Sequence, residues 1–159
     1  MPSEAVYGYA GKILRVDLTN ERITEEVLDE ATLRKWVGGI GLGAKYLYEE
    51  VPPGTRWNDP ENRLIVASGP LGGTMVGGSG LISFSTKGIL TGGATSTQAN
   101  GFLGAFMKTS GFDAVIFQGI AKRWVYLYIH DATAELRDAG NLLGKNTWDT
   151  EDAIRAELG

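Results

Sequence analysis

Cysteine is absent from all 159 residues. That absence excludes disulfides, thiolate catalysis, Cys-ligated zinc and any iron–sulfur cluster held by these residues alone. Histidine occurs once, so no histidine cluster can bind a metal. Basic charge is also short: Lys+Arg 15 against Asp+Glu 19 gives net −4, without the electrostatic footprint that nucleic acid requires. No apolar run approaches the ~18 residues of a membrane span, so none is expected. The opening MPSEAVYG lacks the basic and apolar regions of a signal peptide, and a cytoplasmic protein is expected. Apolar residues make up 43% and charged residues 21%, the composition of a folded globular chain.

Glycine is the excess, 23 of 159 residues, about twice the usual ~7%. From Leu64 to Met107, 44 residues, the only charged side chain is Lys87. Eleven glycines fall between Gly69 and Gly104, interleaved with Leu, Ile, Phe and Met that a flexible linker would lack. The stretch reads as buried strands and turns. Its glycines serve either a close approach of backbone to a ligand or tight turns packed on one another.

Along the rest of the chain the periodicities are ordinary. Lys12-Ile-Leu-Arg-Val-Asp-Leu18 alternates as a half-buried strand, Thr19-Asn20 reads as a hairpin turn, and Arg22–Leu28 is its partner. Asp29 caps a helix to about Val37, stopped by Gly38-Gly39; a second helix carries Leu42, Lys45, Tyr46 and Glu49 and ends at Val51-Pro52-Pro53-Gly54. Arg63–Ala67, Ala114–Gln118 and Trp124–Ile129 read as strands, and Phe102–Ser110 as a short helix closed by Gly111. Asp149 or Thr150 is the expected cap of a last helix, Glu151–Leu158. The segment from Ile13 resembles that from Tyr126, each preceding a capped helix. The fold class expected is therefore α+β: mixed β-sheets with short helices and internally duplicated hairpin-plus-helix units. The stop at a helix end, with no tail, is how an excised domain would look.

Gly39-Ile-Gly41-Leu-Gly43 imitates a dinucleotide fingerprint, but it follows a helix and lacks a βαβ unit, so the glycines read as helix caps. His130 ends a strand with no second ligand beside it. The pairs Glu25-Glu26, Glu49-Glu50 and Glu151-Asp152 read as charged surface, since adjacent side chains diverge. No Gly-x-Ser-x-Gly elbow and no Walker loop occurs. What remains is Ser83–Gly104, rich in backbone donors, hydroxyls and amides. Gln98, Asn100 and the glycine backbone can supply hydrogen bonds and a carbonyl for a hard cation such as Mg²⁺, and Lys87 a charge for phosphate. The segment reads as a polar surface for a phosphorylated heterocycle, closed by a partner surface.

Tyr7–Leu18, Lys35–Ala44, Pro60–Leu71, Thr86–Gly92, Gly104–Asp113 and Trp148–Arg155, taken in order, resemble the N-terminal domain of the tungsten-containing aldehyde ferredoxin oxidoreductase family. The resemblance implies that residues 1–159 form one metallopterin-binding domain, the base for a tungsten (or molybdenum) bis-pyranopterin. It implies Mg²⁺ bridging the pterin phosphates through main-chain carbonyls, one of them at Gln98, and pterin contacts at Ala99, Asn100 and Gly101. Later domains would carry a 4Fe-4S cluster and its cysteines. The whole enzyme would oxidise aldehydes to carboxylic acids and pass electrons to ferredoxin, while this segment alone would be inactive. A homo-oligomer is compatible with the resemblance. Leu81 stands where the family commonly carries arginine, and Gln98-Ala-Asn-Gly101 where it carries Asn-Ser-Gly-Gly, so phosphate contacts are expected to differ. Two other readings stay open: a non-catalytic scaffold or small-ligand module, and a relative acting on another substrate such as an aromatic thioester.

Overall fold

In the computed structural model, which describes residues 7–159, the first hairpin pairs β1 (Lys12–Asp17) with β2 (Arg22–Val27) as the alternation requires. The Asp29 carboxylate accepts from the Thr32 N–H at 2.6 Å and starts α1 (Glu30–Trp36). Gly38 and Gly39, both at positive φ, turn the chain into α2 (Ile40–Glu50). β3 (Arg63–Ser68), β4 (Leu81–Lys87) and β5 (Ala94–Asn100) follow, then α3 (Leu103–Thr109) and β6 (Ala114–Gln118). A second hairpin, β7 (Val125–His130) with β8 (Thr133–Asp138), precedes a 3₁₀ turn at Gly140–Leu142 and α4 (Thr147–Leu158).

Six strands form one mixed sheet in the order β2-β1-β6-β3-β4-β5, in which only β1 and β6 run parallel; β7 and β8 form a separate ribbon. The central strands are apolar on both faces because both faces are covered. Ile13, Ile65, Ala67, Ala114 and Ile116 meet Leu33, Leu42 and Tyr46 of α1 and α2. On the opposite face Leu14, Val16, Val66, Ile82 and Val115 meet Met107 of α3 and Phe112, with Leu127, Ile129 and Leu136 of the β7–β8 ribbon beside them. The expected order of a hairpin followed by a capped helix occurs twice, but the two turns differ. The second is a two-residue turn with Asp131 at φ 45° and Ala132 at φ 62°, both in the region that type I′ hairpins demand.

Two expectations are corrected. The last helix begins four residues early because Asn146, not Asp149 or Thr150, is the cap: its side chain accepts from the Asp149 N–H at 2.9 Å, which places Asp149 inside the first turn. The glycine-rich stretch is not uniformly buried. β4 is covered by α2, but β5 is exposed at all seven residues because it is the last strand of the sheet. No helix among the described residues is long and apolar enough to cross a membrane.

Candidate functional site

The register of β4 with β5 determines what this edge presents. Leu81 lies opposite Asn100, Ile82 opposite Ala99, Ser83 opposite Gln98 and Lys87 opposite Ala94. Gly101 N–H donates to the Gly80 carbonyl at 3.1 Å, and Gly88 N–H to the Gly93 carbonyl at 2.8 Å. In an antiparallel ladder, hydrogen-bonded pairs alternate with pairs whose backbone groups point outward. Counting from these two bonds, Ala99 and Thr97 bond to β4, whereas Ser96, Gln98 and Asn100 direct their N–H and C=O groups to the free edge. Directly opposed residues share a face, so the Leu81, Gln98 and Asn100 side chains lie on the α2 side and Ala99 on the other.

Glycines bring three other segments against this end of the ribbon. A Cβ on Gly80 would lie 2.5 Å from Asn100 Oδ1 and 2.7 Å from the Gly101 carbonyl oxygen, and one on Gly72 would strike Ser68 Oγ. Gly104, in the first turn of α3, faces the Leu81 carbonyl oxygen at 3.3 Å and Ser68 Oγ at 3.4 Å. Gly101 has φ 149°, a region that disfavours side chains, and nothing lies within 4 Å of its open side. The result is a surface of exposed backbone that runs into the exposed Phe102 at the N-cap of α3 and Phe106 within it, while Leu71 and Met75 of the loop before β4 are exposed as well. The Phe102 and Phe106 rings stack at 5.8 Å. Beneath it, the Ser68 hydroxyl is buried with no hydrogen-bond partner.

The sequence-derived set is thus divided. Gln98, Ala99, Asn100 and Gly101 form one exposed run at the strand end. Lys87 sits at the other end of the ribbon, four positions beyond the Ser83–Gln98 pair, about 13 Å at ~3.3 Å per residue. There it lines a hollow with Arg56, Trp57 and Gly92. The cation nearest the glycine loop is Lys108 of α3, held between Gly69 and Asp113; a separation of 39 residues hid this contact from the sequence. The remaining motifs lie elsewhere. A Cβ on Gly43 would strike Ser85 Oγ and one on Gly41 the Trp36 carbonyl, so the fingerprint-like glycines serve helix packing. His130 pairs with Asp131 at 3.2 Å at the tip of the second hairpin. Glu26 and Glu50, read as surface charge, converge on Arg15: Glu26 Oε2 accepts at 2.7 Å and Glu50 Oε2 at 2.8 Å, while Tyr46 donates to Glu26 at 2.6 Å. No group of three or more His, Asp or Glu able to hold a metal occurs among the described residues.

The site therefore offers outward-facing backbone donors and acceptors along an exposed edge. These features belong to an exposed strand edge in an α+β domain. The profile described as "Aldehyde ferredoxin oxidoreductase, N-terminal domain" matches residues 13–159, and the chain belongs to this family. It is 44% identical over 154 residues to the tungsten-containing aldehyde ferredoxin oxidoreductase of Pyrococcus abyssi (strain GE5 / Orsay), covering 97% of this chain and 25% of the relative. It is 40% identical over 144 residues to the aliphatic sulfonate oxidoreductase, WOR-like subunit, of Pyrococcus furiosus (strain ATCC 43587 / DSM 3638 / JCM 8422 / Vc1), covering 87% and 22%. Among solved structures, the active site complex BamBC of benzoyl coenzyme A reductase in complex with 1,5-dienoyl-CoA matches with a TM-score of 0.92 and 37% identity. That match covers 96% of this chain and 23% of the other. The chain spans about a quarter of the length of the relatives it matches.

Proposed function

We propose that residues 1–159 are the cofactor-binding domain of a tungsten (or molybdenum) bis-pyranopterin oxidoreductase that oxidises aldehydes to carboxylic acids, with ferredoxin as electron acceptor. The observation that carries this reading is the outward-facing backbone of Gln98 and Asn100, on an exposed edge that ends in the open Gly101. A carbonyl oxygen so directed would be a suitable ligand for a hard cation such as Mg²⁺, which would offset the negative charge of a phosphorylated cofactor. The Gln98 main-chain carbonyl is assigned that contact, and Ala99, Asn100 and Gly101 the adjoining pterin contacts. Asn100 Oδ1 already accepts from the Gly101 N–H at 3.0 Å, which pre-forms the turn. A contact from Lys87 requires a group that spans the length of the ribbon. Leu81 adds no charge at the Asn100 end and Lys108 is engaged by Asp113, so phosphate would be held there by backbone.

When bound, the group supplies the two-electron redox centre for the oxidation. This chain's residues hold and orient it: no side chain at the platform moves a proton. The exposed apolar rim would exclude water once covered. A 4Fe-4S cluster, ferredoxin docking and the substrate pocket are assigned to later domains of the same protein, a homo-oligomer is compatible with the arrangement, and the enzyme is placed in the cytoplasm. The fold match to the benzoyl coenzyme A reductase complex favours, as a second reading, a relative acting on an aromatic thioester with the same platform.

The test is elemental mass spectrometry of the full-length protein from cells supplied with tungstate and molybdate. Near-stoichiometric metal is expected in the wild type, and loss of metal with an intact fold in Asn100→Trp and Gly101→Trp. Normal metal in both variants would overturn the loop assignment. Absence of both metals from the wild type would favour a scaffold. Turnover of an aldehyde or of an aryl thioester by the loaded enzyme separates the two enzymatic readings.

A further inference from the structure

The last turn of α3 carries a buried cation beneath the platform. The Lys108 side chain is 10% exposed, and its ammonium lies 3.1 Å from Asp113 Oδ1, a side chain 2% exposed. It donates to the Gly69 carbonyl at 3.2 Å and to the Gly8 carbonyl, and lies 5.4 Å from the Tyr9 ring centre. Asp113 also accepts from the Ala10 N–H at 3.0 Å and the Gly11 N–H at 2.7 Å. Burial first, and then the Asp113 charge, push the Tyr9 hydroxyl pKa up, so Tyr9 stays neutral beside the pair.

The backbone around Gly69 is fastened from several directions. Ser68 N–H donates to the Asp113 carbonyl at 3.0 Å, the Ser68 carbonyl accepts from Gly39 N–H at 2.9 Å, and the Gly69 carbonyl accepts from Gly72 N–H at 3.0 Å. The loop that begins there reaches the platform through Gly73, whose Cβ would lie 3.4 Å from Ala105 in the first turn of α3. One short helix therefore touches the loop through Ala105 in its first turn, and anchors the loop's Gly69 end through Lys108 in its last. Because Asp113 neutralises Lys108, the ammonium is not free for an anionic ligand. Its effect is geometric.

We propose that Lys108 and Asp113 are positioning residues of the platform: their ion pair fixes the Gly69–Gly80 loop against Asn100–Gly104, and so sets the shape of the surface that receives the cofactor. What is positioned rests on the cofactor reading above; the clamp itself is made only of this chain's atoms. Supporting residues of this kind, when removed, typically cost ten- to a hundredfold in metal-site affinity while the ligands remain.

The experiment is amide hydrogen exchange and metal content of full-length Lys108→Met, Asp113→Asn and Lys108→Arg proteins beside the wild type. In Lys108→Met and Asp113→Asn, residues 69–80 are expected to exchange about tenfold faster or more, with β3 and β6 unchanged, as local rather than global opening requires. Tungsten per chain is expected to fall below about half in both variants, and Lys108→Arg, which keeps the charge, to retain loop protection and metal. Unchanged loop exchange overturns the proposal. So does acceleration spread evenly over the sheet, the mark of a merely structural pair, or wild-type metal in a protein whose loop has loosened. Should Lys108→Met not accumulate folded, Asp113→Asn breaks the same pair from its other side. A wild type without tungsten or molybdenum defeats the cofactor reading, and loop exchange alone then decides the clamp.

Discussion

Glu50, at the end of α2, is half-buried between two guanidinium groups: Arg15 Nη1 donates at 2.8 Å and Arg63 Nε at 3.1 Å, both to Oε2. Burial pushes this carboxyl pKa up, but the hydrogen bonds and charges of Arg15, and then Arg63, outweigh it and hold it below the usual glutamate value. A folded-state pKa below the unfolded one means that the stabilisation is complete above the unfolded value, about 4.3, and is lost as pH falls through the depressed one. Unfolding free energy from urea titrations is therefore expected to decline below about pH 4.5, and Glu50→Gln to flatten that decline while lowering neutral-pH stability by about 2 kcal/mol, discounted for partial exposure. At Ser85 the sign reverses. Its hydroxyl is buried without a partner beneath Gly43, so Ser85→Ala is expected to be neutral or stabilising by up to about 1 kcal/mol. A lower melting temperature for that variant would show a hidden partner.

At the scale of elements, caps and turns decide where helices and hairpins begin. Asn146 is the only side-chain cap of α4, and Asn146→Ala is expected to cost about 1 kcal/mol and fray the helix, seen as a loss of far-UV circular dichroism on warming. Ala132 occupies a type I′ position at φ 62°, where a Cβ is strained. Ala132→Gly is expected to stabilise the second hairpin by about 0.5–1 kcal/mol, and a drop in melting temperature would refute the turn assignment. The first hairpin, α1, α2, β3 and β6 follow directly from alternation, capping and breakers in the sequence. The exposure of β5 is not legible in the sequence because a polar, glycine-flanked run has the same composition whether it lies at the centre or the edge of a sheet. Only the tertiary structure shows that it is the edge strand, with all seven residues exposed.

At the scale of the whole molecule, Met75, Phe102 and Phe106 stand in solvent around a polar backbone edge. Large apolar side chains left this exposed, with Phe102 and Phe106 stacked together, are expected on a face that another surface covers. Expressed as residues 1–159, the chain is expected to bind an apolar reporter dye such as anilinonaphthalene sulfonate or to self-associate, and Phe106→Ser to reduce both. The full-length protein should do neither. Equal dye binding by residues 1–159 and by a longer form carrying the later domains proposed above would mean that those domains leave this face open.

The sequence by itself determined the family, through motifs in order along the whole chain, and the alternating strands, the first helix cap and the polar run from Gln98 to Gly101, because these last rest on neighbours a few residues apart. Only the tertiary structure decided which backbone groups of that run are free, since this depends on the register with β4. It also decided that Lys87 stands apart from the run while Lys108 lies beneath the loop. Lys108 meets the Gly8 carbonyl across 100 residues, and Arg15 meets Glu50 across 35. No local pattern encodes such meetings, because the sheet order and the helix crossings bring those charges together only once the core has formed.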